Sequence, residues 1–596
     1  MATVTGNPGI FSAPAMAEVK KKKRIAVNFD WKWVLGGTFV LMSIFVFAAA
    51  WNFVQGSSLA PTDDALIQIR SAEVFAKTGM LSFNASGPRV EANSSLLFTL
   101  LATTGFMFSD LSWVMYWYLP ILNTVFAVFS SVIIYLLCRE SGTNRGWALA
   151  GSVFLAALPT TWFWVASGME ATLNSMLEIG LVLLALISLR REDRVMTALL
   201  ASCTILLLMV RPDGFMFPLC ISVFLALAKG KWRVAGKIAV PMVIGSVILA
   251  LWRLYYYGQV FPNPVYAKIT GTWSENLWAG WDHWQGMAVT TGIWLPALFL
   301  MWKLCLEIEK VARKSYSIWV SRKWQNPFDE ITLAPWLAFA MLVAWFLHAG
   351  DGYNVRQILT IFPLGIWVMV MAWDKAQKFE GKEAFSRLAV AGFIMAYMPV
   401  AWFPATFDLR GPFDRPAFKA MDREANIIAA LNRDYPEWKS IAADKLGFIG
   451  ALAGTDRVVC DLLGLADPHI ARVERQYAPG GKYIPGHCKY DLAYSLGEQK
   501  ADVNFQLIHR ASDLGHQFIS GLNRPLMEKE GYVLAYLSSS SSYRCVDVRD
   551  DEEKAQQLLA RGGFNAAVYV QKHLSYKGNV MLEDEDAVEP MRVAGK

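Results

Sequence analysis

Only 18% of the 596 residues are charged, below the roughly 25% of an ordinary soluble domain. Histidine is scarce too. The seven histidines are scattered, and neither HExxH nor CxxC occurs, which removes the usual zinc spacings. There is no GxxxxGK[ST] loop, and no GxGxxG follows a strand-like run, so a P-loop or dinucleotide site has no support. GxSxG is missing as well, and with it the esterase nucleophile elbow. The formal net charge is +6, yet the basic residues lie in short clusters between apolar runs. They read as topology signals, not as nucleic-acid contacts. No small-residue cleavage site follows the basic leader, residues 1–33 with KKKKR at Lys20 to Arg24. The apolar run that begins near Val34 is therefore expected to be a first spanning helix, not a signal peptide.

What is present in quantity is apolar: 54% of residues are hydrophobic and 24 are Trp, the profile of a polytopic helical membrane protein. About 20 apolar residues cross a bilayer. Eleven runs come close, at about 34–53, 113–137, 147–166, 170–189, 195–211, 214–228, 238–257, 287–302, 333–349, 357–373 and 388–404. A twelfth, residues 94–108, has about 15 residues and reads as interfacial or re-entrant. With that segment not crossing, the basic clusters all fall on one side, as the positive-inside rule asks. The expected arrangement is a transmembrane domain over residues 34–404, a cytoplasmic N-terminus and an outer first loop at 54–112.

After Pro404 the pattern changes to mixed helix and strand signals, so residues 405–596 are expected to form a soluble α/β domain outside the membrane. DREANIIAALNRD (422–434) reads as an amphipathic helix. RVVCDLLGL (457–465), GYVLAYL (531–537) and YRCVDV (543–548) read as strands. Cys460, Cys488 and Cys545 fall in this part. Outside the cell they allow one disulfide, which the sequence does not assign.

The stretch TDDALIQIR (62–70) carries adjacent carboxylates, Asp63 and Asp64, just after the first apolar run. Carboxylates are costly beside a membrane unless they face water or a partner. Three readings stand at this point: a general base, a pair of ligands for a divalent cation, or a solvated loop. Arg70, Glu73, Arg89, Glu91, Glu170, Arg211, Asp213, Lys268, Asp351 and Arg356 fall on the same expected side. Acids at span ends with cations nearby suit transfer of a sugar from a lipid phosphate. The phosphate is already a good leaving group, so a base and phosphate-holding cations suffice. A transporter would more naturally place its acids near mid-span.

TDDALIQIRSAEVFAKTGMLSFNASGPRVEANSSLLFTLLA (62–102) resembles the first outer loop of one branch of the GT-C glycosyltransferases. That branch holds the mycobacterial terminal (β-1,2) arabinofuranosyltransferases and their bacterial relatives. VASGMEATL (165–173), VRPDG (210–214), YYGQVFPNPVYAK (256–268), HAGDGYNVR (348–356), CDLLGLADPHIARVER (460–475) and PGHCKYD (485–491) continue the likeness in order. The resemblance implies a GT-C fold of about eleven transmembrane helices with juxtamembrane helices in the first outer loop. It implies a bacterial inner-membrane location. A polyprenyl-phosphate-linked pentose would be the donor, and a cell-envelope glycan outside the cytoplasmic membrane the acceptor. It implies Asp63 as base, with Asp64 supporting it or binding a divalent ion. Arg89, Glu91, Asn93 and Glu170 would line the sugar, Lys268 and Arg356 would hold the phosphate with Asp351 nearby, and His469 and His487 would orient acceptor. Relatives with another lipid-linked sugar, a protein acceptor or a motility role share the scaffold, so fold does not fix substrate.

Overall fold

The computed structural model describes residues 61–191, 193–268, 271–322, 326, 332–348, 356–377, 416–475, 486, 488–507, 524–538, 545–549, 551–561 and 566–577. The leader, the apolar runs at 34–53 and 388–404, Asp351 and His487 lie outside the described residues.

Helix α1, Asp63–Thr78, carries its own start and stop signals. Thr62 is the N-cap, its Oγ1 accepting from the Ala65 N–H at 3.4 Å. Asp63 and Asp64 occupy the first turn and Lys77 the last, matching the helix dipole. Gly79, at φ +70°, ends the helix in the left-handed conformation that glycine adopts without a Cβ penalty. The following helix α2, Leu96–Phe106, has 11 residues. At 1.5 Å per residue it covers about 17 Å, short of the roughly 30 Å of hydrocarbon.

The remaining helices of the first part are α3 (Leu111–Glu140), α4 (Arg145–Ala157), α5 (Pro159–Ala166), α6 (Ala171–Ser188), α7 (Arg194–Val210), α8 (Met216–Leu227) and α9 (Trp232–Tyr257). Then come α10 (Asn263–Lys268), α11 (Trp273–Thr291), α12 (Trp294–Ser321), α13 (Leu333–Leu347) and α14 (Ile361–Gln377). Among the described residues four helical segments are long and apolar enough to cross a membrane, or five if the pair α4 and α5, bent by 53°, is one span. The runs at 195–211, 214–228 and 333–349 are shorter apolar helices. The run at 287–302 does not form one helix: Gly292, at φ +70°, breaks it between α11 and α12.

The C-terminal part holds α15 (Pro416–Asp434), α16 (Leu446–Ala453), α17 (Arg524–Lys529) and α18 (Glu552–Arg561) around a six-stranded sheet. Its strands are β1 (Ser440–Ala443), β2 (Val458–Asp461), β3 (Val503–Leu507), β4 (Tyr532–Ser538), β5 (Cys545–Asp547) and β6 (Ala566–Gln571). The order is β2-β1-β3-β6-β4-β5; β2, β1 and β3 are parallel and the other pairings antiparallel. The long strand expected at 457–465 stops at Asp461, whose carboxylate accepts from the Leu463 and Ala466 N–H groups and turns the chain. Cys460, Cys488 and Cys545 are all free thiols, so the disulfide the sequence allowed does not form.

Helix α1 lies between two apolar cores. Leu66, Ile69 and Ala72 pack with Phe98, Ala102 and the membrane-domain helices. Ile67, with Phe83 and Ala92 of the first loop, packs instead with Ile427, Leu431, Ile441 and Ile449 of the C-terminal domain. This placement joins the acid pair to both halves of the molecule.

Candidate active site

Asp63 and Asp64 begin a helix whose start is held by the VASGME turn. The Thr62 N–H donates to the Ser167 carbonyl at 3.1 Å. Gly168, at φ +72°, lets that turn lie against Pro61 and Ala65; a Cβ there would come within 3.1 Å of the Pro61 Cβ. Asn123 on α3 donates to the Met169 carbonyl at 3.1 Å and fixes the turn from behind.

The two carboxylates face different partners. Asp64 Oδ2 lies 3.3 Å from Arg356 Nη1 and 3.8 Å from Lys268 Nζ. Arg356 is nearly buried, 9% exposed, and begins the short turn before α14. Lys268 ends α10 and is 38% exposed. Three sequence-predicted residues, spread over 292 positions of the chain, thus meet at one point.

Asp63 faces the C-terminal domain. Its Oδ1 accepts the Phe448 N–H at 2.9 Å, in the first turn of α16. Burial raises this carboxyl from the ordinary 3.8 to about 7; the Phe448 N–H and Lys445 act against that rise, while Asp64 and Glu424 add to it. An acid near neutrality inside a domain junction is suited to take a proton.

The other expected sugar contacts have partners of their own. Glu91 makes a buried bidentate pair with Arg253 of α9, at 2.8 and 3.1 Å. Burial works to raise its carboxyl and the guanidinium works against it. Asn93 accepts from Thr99 at 3.0 Å. Arg89 is exposed and stacks on the Tyr256 ring, 4.6 Å from its centre. Glu170 accepts from Arg211 at 3.1 Å, and Arg211 also bonds Asp213 at 2.9 Å. His469 is exposed, bonded to Asp491 at 3.0 Å and stacked on Tyr494.

Among the described residues no group of three or more His, Cys, Asp or Glu gathers that could hold a metal ion.

Sequence reasoning missed the contribution of the C-terminal domain. Gly447 and Gly450, spaced three apart in LGFIGALA, place α16 against α1. Such small-residue spacing on a helix is the signal that two backbones approach closely. Arg70, grouped with the outer-side charges, caps this same helix. It donates to the carbonyls of Phe83 (3.1 Å), Gly450, Gly454 (2.8 Å) and Arg457 (2.7 Å) and to Asn84 (3.2 Å). Asn84 in turn exchanges two hydrogen bonds with the Val459 backbone on edge strand β2. Asn263 donates to the carbonyls of Gly464, Leu465 and Asp467 at 2.8 to 3.1 Å.

Two crystal structures of ArnT from Cupriavidus metallidurans are similar to this chain. The apo structure aligns with a TM-score of 0.50 at 10% identity, covering 90% of this chain and 98% of that one. The chain shares the overall fold of that protein. The structure bound to undecaprenyl phosphate aligns with a TM-score of 0.43 at 12% identity, over 72% of this chain and 90% of that one. A family described as a domain of unknown function, DUF8728, matches residues 417–559 and so covers most of the C-terminal sheet domain. No curated protein matches the chain.

A pocket lies between α6, α8 and α13, with Gln357 and Ile358, which follow Arg356 in the chain, among its lining residues. Phe217, Leu337, Met341 and Trp345 form apolar walls, with Glu178 and Asp213 among the polar groups.

Proposed function

We propose that the protein is a membrane glycosyltransferase that moves a pentose from a polyprenyl-phosphate donor to a glycan acceptor on the outer side of the cytoplasmic membrane. The observation that carries this reading is the meeting of Asp64, Arg356 and Lys268 beside Asp63. A base and two cations on one short arc are what transfer from a lipid phosphate requires. Arabinofuranose is the donor sugar favoured by the ordered motifs from TDDALIQIR to PGHCKYD.

In the proposed reaction the acceptor hydroxyl oxygen attacks the anomeric carbon of the donor. Asp63 takes the hydroxyl proton as the new C–O bond forms. The bond from the anomeric carbon to the phosphate oxygen breaks, and polyprenyl phosphate leaves with the electron pair. Lys268 and Arg356 stabilise the phosphate charge, and Asp64 orients both cations.

The test is to incubate purified protein in lipid nanodiscs with a panel of polyprenyl-phosphate sugars and measure released polyprenyl phosphate. The proposal expects release from the pentose donor above all others. Preference for a hexose donor overturns the pentose assignment, and no release from any donor overturns the activity.

A further inference from the structure

Helices α1 and α16 lie side by side with their N-termini together. Asp63 meets the first turn of α16 and Arg70, seven residues on, meets its last. Seven residues of helix rise about 10.5 Å, and the eight of α16 about 12 Å, so the two side chains reach the two ends of one helix. The charges match the helix dipole at each end: a carboxylate at the amino end, a guanidinium at the carboxyl end.

The contact at the amino end is too close for any side chain. A Cβ on Gly447 would lie 1.9 Å from the Asp63 carbonyl oxygen and 2.8 Å from its Oδ1. The obstacle is backbone, which cannot swing aside. At Gly450 a Cβ would meet only the Arg70 side chain at 3.0 Å and the Phe83 ring at 3.1 Å.

We propose that the C-terminal domain is a working part of the catalytic site: Gly447 lets the first turn of α16 reach Asp63, and the Phe448 N–H fixes the carboxylate that accepts the proton. The proposal rests on the reading of Asp63 as the base and adds Gly447 as its positioning residue. A domain that only capped the cavity or bound acceptor would have no need of a backbone N–H on that carboxylate.

The test uses the full-length protein in nanodiscs. Gly447→Ala pushes α16 away from Asp63, and it should lower kcat for sugar transfer at least 100-fold while donor KM stays within about threefold. Gly236→Ala on α9, where a Cβ meets nothing within 4 Å, is the control and should retain wild-type rates. Unchanged kcat in Gly447→Ala, or a loss traceable entirely to KM, overturns the proposal.

A second measurement does not need turnover. Hydrogen exchange of the Phe448 amide should speed up at least tenfold in Asp63→Ala, with the amides of β1 and β3 still protected. Unchanged exchange at Phe448 overturns the contact itself. A wild-type protein that transfers no sugar, yet shows this exchange response, would remove the functional reading and leave the interdomain contact standing.

Discussion

Asp63 combines two roles that a single substitution separates. An Asn keeps the Oδ1 that accepts from Phe448 and removes the charge that burial disfavours. Asp63→Asn should therefore melt at or above the wild-type temperature, yet lose about 10²-fold or more in transfer rate; differential scanning calorimetry beside the rate assay checks both halves. The sign of the pH dependence follows from the same carboxyl. Its folded value is raised to about 7, and a base works only when deprotonated. The rate should fall about tenfold per pH unit below 7 and level off above it. A profile flat from pH 5 to 8 would remove Asp63 from the proton transfer. Lys268→Met should act differently, weakening the hold on the phosphate without touching the base, so phosphate-dependent donor affinity falls. At this scale the sequence was legible in part. The adjacent acids were visible because charge is rare beside apolar runs, and Lys268 and Arg356 because their motifs followed in order. The Phe448 N–H was hidden, since a backbone donor leaves no mark in residue identity.

At the scale of elements, the first loop is held by pairs the sequence could not match up. The family resemblance implies Glu91, in RVEAN, as a sugar contact. Its ion-pair partner, Arg253, lies 162 positions away on α9. Removing one partner of a buried ion pair leaves the other uncompensated, at about 3–5 kcal/mol. Arg253→Leu is therefore expected to destabilise the fold by that order, read as a lower thermal unfolding temperature, whereas the double change Arg253→Leu with Glu91→Leu should recover part of the loss. Apolar run length located the nine runs that fall among the described residues, and each overlaps a helix. Run length missed the break at Gly292 and the 53° bend between α4 and α5, because it does not register where a helix ends inside an apolar run. The strand at 457–465 was overextended for a related reason. The apolar residues after Asp461 pack in the core as a turn, and alternation does not distinguish that from a strand.

The whole molecule is organised around the contact between its two halves. Arg70, Asn84 and Asn263, all from the membrane-domain side, supply side-chain hydrogen bonds to backbone groups of the C-terminal domain. That density of polar contacts, with Ile67 and Phe83 buried in the second core, argues for two parts that act as one. The composition changes near residue 405, which lies outside the described residues. The docking of the C-terminal domain was not legible in the sequence, because residues distant in the chain define it. If the acid pair opens to the outer leaflet, cysteines introduced on exposed turns of the sheet domain should react with a membrane-impermeant maleimide in intact cells.

The most direct test of the account is donor turnover by purified wild-type protein and Asp63→Asn, side by side, with a polyprenyl-phosphate pentose. The account predicts free polyprenyl phosphate and a glycosylated acceptor from the wild type, and at least a 100-fold slower release from the variant at equal folding. Equal rates from the two proteins would contradict it.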